Sequence, residues 1–250
     1  MIHYITSKVN PRIKELLLLK DPKVRKEKKL FLVEGFHLLE MALAANQVSM
    51  VITEHVIDSL PDGMEQLVVH SDIIKKLSSQ VTPQGVIAVC NMVEQELAED
   101  KRILYLDHVS DPGNIGTILR TAVAFGFQNV VFSPNCCSPY NEKVIHASQG
   151  AIFCLHILEE QDTSFIMQKK EEGYQCVVTS LYHAQPFEEV TYREKMILVL
   201  GNEAHGVSEE VMSLASESVM IPIQKMESLN VAIAGGILFY EIGRALKKVK

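Results

Sequence analysis

Nowhere in the 250 residues does an uninterrupted apolar run approach the roughly 18 needed to cross a bilayer. Met1 is not followed by the charged-then-apolar leader that directs secretion, so the expectation is a soluble, cytoplasmic protein with no membrane partner. Cysteine is sparse: five residues, an odd number, with no C-x-x-C pair, which argues against both a disulfide framework and a zinc ribbon. Cys136 and Cys137 are adjacent, a spacing that neither closes a disulfide easily nor chelates a metal. Nine histidines include no H-E-x-x-H or other ligand spacing, so no metal is expected. Internal repeats, low-complexity tracts and Gly/Ser linkers are also missing. Basic residues are outnumbered, 24 to 31, and a net charge of -7 by itself speaks against a nucleic-acid partner.

What is present changes that last conclusion. Between Lys8 and Lys29 stand nine basic and three acidic residues, +6 locally against -13 for the remainder. A concentrated basic segment is what phosphate binding requires whatever the overall sign, although a solvated helix face has the same composition. With 47% hydrophobic and 22% charged residues the chain is of ordinary globular make-up, long enough for two domains.

The first part reads as a helix over residues 10–19 and another over 35–45. Strand-like runs VSMVIT, QLVVH and GVIAVC follow, with a helix SDIIKKLSS before the last. The acidic, apolar-poor stretch EQELAEDK at 94–101 breaks this pattern and marks a boundary, giving domains 1–97 and 101–250. Beyond it, apolar runs ILYLDHV, NVVF, CLHIL, QCVVTSL, MILVLG and VMIPI alternate with helical or turn segments. That alternation predicts an α/β fold with a mostly parallel sheet covered by helices on both faces, whose ligands bind beyond the strands' carboxyl ends.

Three loops after such strands carry polar residues at close spacing. The first, in LDHVSDPGNIGTILRTAVAFGF, contains N-x-G-x-x-x-R from Asn114 through Gly116 to Arg120. Its glycines do not make G-x-G-x-x-G, and no acidic residue ends the next strand-like run, so a dinucleotide dehydrogenase is disfavoured. Asn114 is placed to cap the helix. Arg120 stands in apolar surroundings, and an arginine on a buried face needs an anionic partner. The second loop, LVLGNEAHGV, is G-x-E-x-x-G with Glu203 between Gly201 and Gly206. In the third, Ile221-Pro222 ends a strand and Ser228-Leu229-Asn230 opens the last helix, with Ser228 a candidate cap. Gly235-Gly236 lies inside that helix, where each glycine costs about 1 kcal/mol relative to alanine, so something packs closely there.

In order and spacing these three loops resemble the three motifs of the SpoU (TrmH-like) branch of the SPOUT RNA methyltransferases. FLVEGFHLLEMAL and TPQGVIAV upstream resemble the substrate-binding domain often fused in front. The resemblance implies a C-terminal parallel sheet tied as a trefoil knot, preceded by a small ribosomal-protein-like α/β domain. It also implies a homodimer with the active site near the subunit interface, and methylation of an RNA ribose 2'-hydroxyl from S-adenosylmethionine. Carried over by position, Asn114, Arg120, Glu203, Ser228 and Asn230 form the catalytic set. Leu200, Gly201, Ile221, Met226 and Leu229 hold the cofactor, and Arg12, Lys14 and Lys26 contact RNA. The fused domain favours 23S ribosomal RNA over transfer RNA. A non-catalytic RNA-binding assembly factor on the same fold is the rival reading, and it requires loss of motif residues that are all present here. The family proposal makes Arg120 the base; because arginine stays protonated below about pH 12, a phosphate clamp and alkoxide stabiliser is the better physical role.

Overall fold

In a computed structural model, the structure describes residues 1–181 and 183–248. The chain divides into two compact units, one comprising Met1–Glu94 with Tyr140–Phe153, the other Gln95–Pro139 with Cys154–Lys250.

The first unit contains, in chain order, β1 (Ile2–Ile5), α1 (Pro11–Leu18), α2 (Pro22–Lys28), β2 (Leu30–Glu34), α3 (Phe36–Ala44), β3 (Val48–Thr53), β4 (Glu65–Val69), α4 (Ser71–Leu77) and β5 (Val86–Asn91). The strands form one sheet ordered β1-β4-β3-β5-β2. β1, β4 and β3 run parallel, and β5 pairs antiparallel with both β3 and β2. Helix α1 begins with Pro11 behind Asn10, whose side chain accepts the Arg12 amide at 2.9 Å. It turns Ile13 and Leu16 inward against Ile52, Leu67, Ile73, Ile74 and Ile87.

Sequence pattern missed β1, β2 and α2. Helix α2 has no apolar period, and it is held instead by its Asp21 cap, by Pro22 at its start, and by Arg25. Arg25 is 5% exposed and donates to the carbonyls of Leu19 and Lys20 at 3.0 and 2.9 Å. One of the nine cations in the basic segment is thus part of the interior.

The second unit opens with β6 (Arg102–Asp107), α5 (Pro112–Ala124) and β7 (Asn129–Phe132). The chain then makes an excursion that groups with the first unit, through α6 (Glu142–Ser148) and a 3-10 turn at Ala151–Cys154. There the Phe31 ring lies 4.9 Å from that of Tyr140 and 6.2 Å from that of Phe153. Nothing in the sequence pattern marked this segment as departing from its neighbours. The remainder is β8 (His156–Leu158), α7 (Thr163–Glu171), β9 (Gln175–Thr179), β10 (Gln185–Pro186), β11 (Met196–Gly201), α8 (Glu209–Met212), β12 (Glu217–Met220) and α9 (Val231–Lys248).

Every pairing in the seven-stranded sheet β10-β12-β9-β11-β6-β7-β8 is parallel. The central strands are apolar on both faces because helices cover both. Ile103, Tyr105, Ile197 and Val199 join Phe165 and Ile166 of α7 in one core cluster, while the alternating residues Leu104, Leu106, Leu198 and Leu200 are equally buried. Over β11, Gly235 of α9 leaves room for Leu200, whose Cδ1 would lie 2.9 Å from an added Cβ. Leu200 belongs to this chain and accounts for Gly235 without a second subunit, whereas a Cβ on Gly236 would make only an ordinary contact of 3.5 Å with Thr121.

Candidate functional site

Strands β6 and β11 are neighbours in register, with Asp107 opposite Gly201, so the loops that follow them leave the sheet side by side. The loop after β11 is tight. A Cβ on Gly201 would sit 2.3 Å from the Gly206 carbonyl carbon and the Val207 nitrogen, so only glycine fits. Asn202 and Gly206 exchange two backbone hydrogen bonds of 2.9 Å, and Gly206 takes φ +72, leaving Glu203, Ala204 and His205 at the tip.

The loop after β6 runs straight into α5. Asp111 caps this helix, accepting the Asn114 amide at 2.7 Å, and Pro112 is its first residue. Asn114 is therefore not the cap expected from sequence. It lies in the first turn with its side chain free to reach across, and its Nδ2 donates to Glu203 Oε1 at 3.0 Å. The same carboxylate accepts the Asp111 amide at 3.2 Å, and the amide and hydroxyl of Ser110 at 3.4 Å each. Burial pushes the Glu203 carboxyl up, but donation from Asn114, from its own amide and from those of Asp111 and Ser110 outweighs it, and the net direction is down. An anion at a helix amino terminus is also favoured by the helix dipole.

The third loop joins through Asn230, which caps α9: its Oδ1 accepts the amides of Ala232 and Ile233 at 2.9 and 3.3 Å. Ser228, the cap expected from sequence, does not do this; it is exposed, with no hydrogen bond among the described residues. The Nδ2 of Asn230 donates to Asn114 Oδ1 at 2.9 Å. A carboxylate can only accept and helix amides can only donate, so both asparagine amides are fixed in orientation. The result is a relay in which Asn230 donates to Asn114 and Asn114 to Glu203, tying together three segments separated by 116 and 89 positions.

The remaining residues expected from sequence are placed differently. Arg120 is exposed on α5 and makes no hydrogen bond or ion pair among the described residues, which corrects the expectation of a buried arginine with an internal partner. Six positions along the helix turn it away from the face that carries Asn114. Leu200 and Gly201 are buried, Ile221 is half-buried, and Met226 and Leu229 are 72% and 37% exposed. Residues 221–229 make no hydrogen bond among the described residues. In the first unit, Arg12 pairs with Glu65 at 2.7 Å, while Lys14 and Lys26 are exposed.

Sequence reasoning missed Asn202 and Asp107. Asp107 is buried at the end of β6 and accepts the Ser208 amide at 2.7 Å. Asn202 stands directly before the turn in GNEAHG, and an asparagine there is a turn-forming signal that could have been read. Among the described residues there is no group of three or more His, Cys, Asp or Glu side chains arranged to hold a metal ion, and no helix long and apolar enough to cross a membrane.

Comparison with known proteins gives a consistent picture. Residues 101–240 match the model of the SpoU rRNA Methylase family, and residues 10–88 match the MRM3-like substrate binding domain. The 23S rRNA (guanosine(2553)-2'-O)-methyltransferase RlmP of Bacillus subtilis is 31% identical over 95% of this chain and 98% of its own length. A crystal structure of an RNA 2'-O ribose methyltransferase matches at 30% identity and TM-score 0.82, covering 98% of this chain and 100% of that one. The AdoMet-bound rRNA methyltransferase from Sinorhizobium meliloti matches at 27% identity and TM-score 0.88, covering 98% of each chain.

Proposed function

The chain belongs to the SpoU rRNA Methylase family, and on that premise we propose that it methylates a ribose 2'-hydroxyl of 23S ribosomal RNA with S-adenosylmethionine as donor. The observation that carries the reading is the Asn230–Asn114–Glu203 relay, because it draws three strand-exit loops distant in sequence to one exposed point. When bound, the cofactor supplies an electrophilic methyl group on a sulfonium. Residues 221–229 suit its adenosine portion: their backbone donors and acceptors are unspent, and Met226 and Leu229 offer apolar surface. Leu200, Gly201 and Ile221 would line the same site. Methyl transfer is an in-line displacement, so holding the ribose oxygen in alignment provides most of the acceleration. The relay suits that task, since it leaves one amide hydrogen of Asn230 in a fixed direction and no slack between loops.

Arg120 is assigned to the RNA phosphate beside the target ribose, through two charge-assisted hydrogen bonds that also steady the developing alkoxide. Its exposure, and its separation from Asn114 around α5, support a site completed by a second subunit. A homodimer is further supported by the open groove of about 440 Å³ between α5 and α9, lined by Thr121, Phe125, Ile233, Gly236 and Tyr240 among others. The order of β11 between β9 and β6, with α9 packed back on α5, is compatible with the trefoil knot. Residues 1–97 are assigned to RNA selection and 101–250 to catalysis in the cytoplasm, without a metal. In that RNA-selecting part, Lys14 on α1 and Lys26 on α2 are exposed, and Arg12 on α1 is paired with Glu65.

The test is transfer of labelled methyl from S-adenosylmethionine to 23S ribosomal RNA, followed by mapping of alkali-resistant sites; incorporation into transfer RNA alone refutes the ribosomal assignment. Arg120→Ala is expected to lower turnover on the order of 10³-fold with cofactor affinity intact. Equal loss of both would make the residue structural. Near-normal turnover in Arg120→Lys would refute the two-bond clamp.

A further inference from the structure

We infer that Asn202 is a positioning residue for methyl transfer, holding the turn that carries Glu203 against the exit of β6 and thereby setting the direction of the Asn230 amide. The inference rests on the RNA methyltransferase reading for its functional consequence, though not for its geometry.

Both ends of the Asn202 amide are used. Its Oδ1 accepts the amides of Ala204 and His205 at 2.9 and 3.2 Å, which fixes the turn in which Glu203 stands. Its Nδ2 donates to the His108 carbonyl at 2.8 Å, in the loop after β6. His108 has φ +55, in the left-handed region that a non-glycine residue keeps only when its surroundings hold it there. Two bonds do so here: the one from Asn202, and the 2.9 Å bond from the His108 amide to Ser133 Oγ. Two and three residues further on, Ser110 and Asp111 present the amides that receive Glu203. Asn202 thus fixes both the donor side and the acceptor side of the Glu203 contact, and Asn114 and Asn230 follow from it.

The stem of the loop has other supports. Gly206 and Asn202 remain joined through their backbones, and Ser208 remains bonded to Asp107 at 2.7 Å. Losing the Asn202 side chain should therefore loosen the tip without unfolding the loop, so the consequence falls on rate rather than on stability.

Two variants test this. Asn202→Ala loses both functions; Asn202→Asp keeps the turn acceptors and loses the donor to His108. Single-turnover methylation of 23S ribosomal RNA is expected to slow about tenfold in both, with the Kd for S-adenosylmethionine and the melting temperature nearly unchanged. In a Glu203→Gln background the same substitutions should slow it by less than about twofold, because residues acting through one group are not additive. Equal factors in the two backgrounds overturn the inference, and so does full rescue by aspartate. A second measurement needs neither RNA nor cofactor: hydrogen exchange of the Asn114 side-chain amide, followed by ¹⁵N NMR. It should accelerate at least about tenfold in either variant, and unchanged exchange overturns the inference even if the wild-type protein proves inactive on this RNA, an outcome that would instead refute the assigned substrate.

Discussion

Two loops leave the same parallel sheet and are built in opposite ways. Residues 201–207 are closed on themselves, pinned by a glycine that tolerates no side chain, a two-way backbone bridge and the Asn202 turn. Residues 221–229 make no hydrogen bond among the described residues and expose Met226 and Leu229. The difference separates two tasks of a transferase. Groups that must stand ready before substrate arrives are fixed by the protein's own bonds, whereas a surface that must fit a ligand leaves its donors and acceptors for that ligand to satisfy.

The sharpest way to break the comparison is Gly201→Ala. Its Cβ would meet backbone 2.3 Å away, so the loop must shift. We expect a loss of about 3 kcal/mol in urea unfolding and at least about hundredfold slower methylation; near-normal values would mean the loop is not rigid. The pair Asn230→Ala and Ser228→Ala comes next, since the two residues are two positions apart at the same helix start but only Asn230 caps α9. The first should cost about 1 kcal/mol of stability, and the second less than about 0.5 kcal/mol while still reducing turnover. A melting shift shared equally by both would erase the distinction.

Ligand protection should sharpen the contrast. Saturating S-adenosylmethionine is expected to slow amide exchange in residues 223–229 and leave the already bonded amides of Asn202 and Gly206 unchanged, as followed by exchange mass spectrometry. The smallest effect concerns acid. Glu203 sits below its ordinary value of 4.5, so its contribution to stability is fully present above that value and is lost as pH falls through the lower folded one. Glu203→Gln should remove this part of the acid sensitivity, detectable as a smaller fall in the urea midpoint between neutral and acidic buffer.

Much of the second unit was legible in advance, because its central strands are continuous apolar runs and its loops carry residues whose spacing is recognisable. The site was legible only in part. The sequence names Asn114, Glu203 and Asn230, which hydrogen bonds join in the structure, but it offers Asn114 as a cap where Asp111 does that work. Ser228 was likewise preferred where Asn230 serves. Both errors have one source: a helix start offers several polar residues, and only the neighbouring loops decide which one turns inward. Arg120 was expected to face the interior because its neighbours are apolar, yet on a helix adjacent residues point to different faces, and this one points to solvent. In the first unit α2 escaped detection because caps and the buried Arg25, not an apolar stripe, hold it.

The excursion Tyr140–Phe153 bears on how this chain can be cut and recombined. Gly150 takes φ +88 beside Met41, where a Cβ would come within 2.9 Å of the methionine Cγ, so the segment is fitted closely to its host. A graft that exchanged residues 1–97 with those of a relative would import one half of that fit and discard the other. Chimeras meant to swap RNA preference should therefore carry helix α6 along with the amino-terminal portion, as a second, non-contiguous cassette.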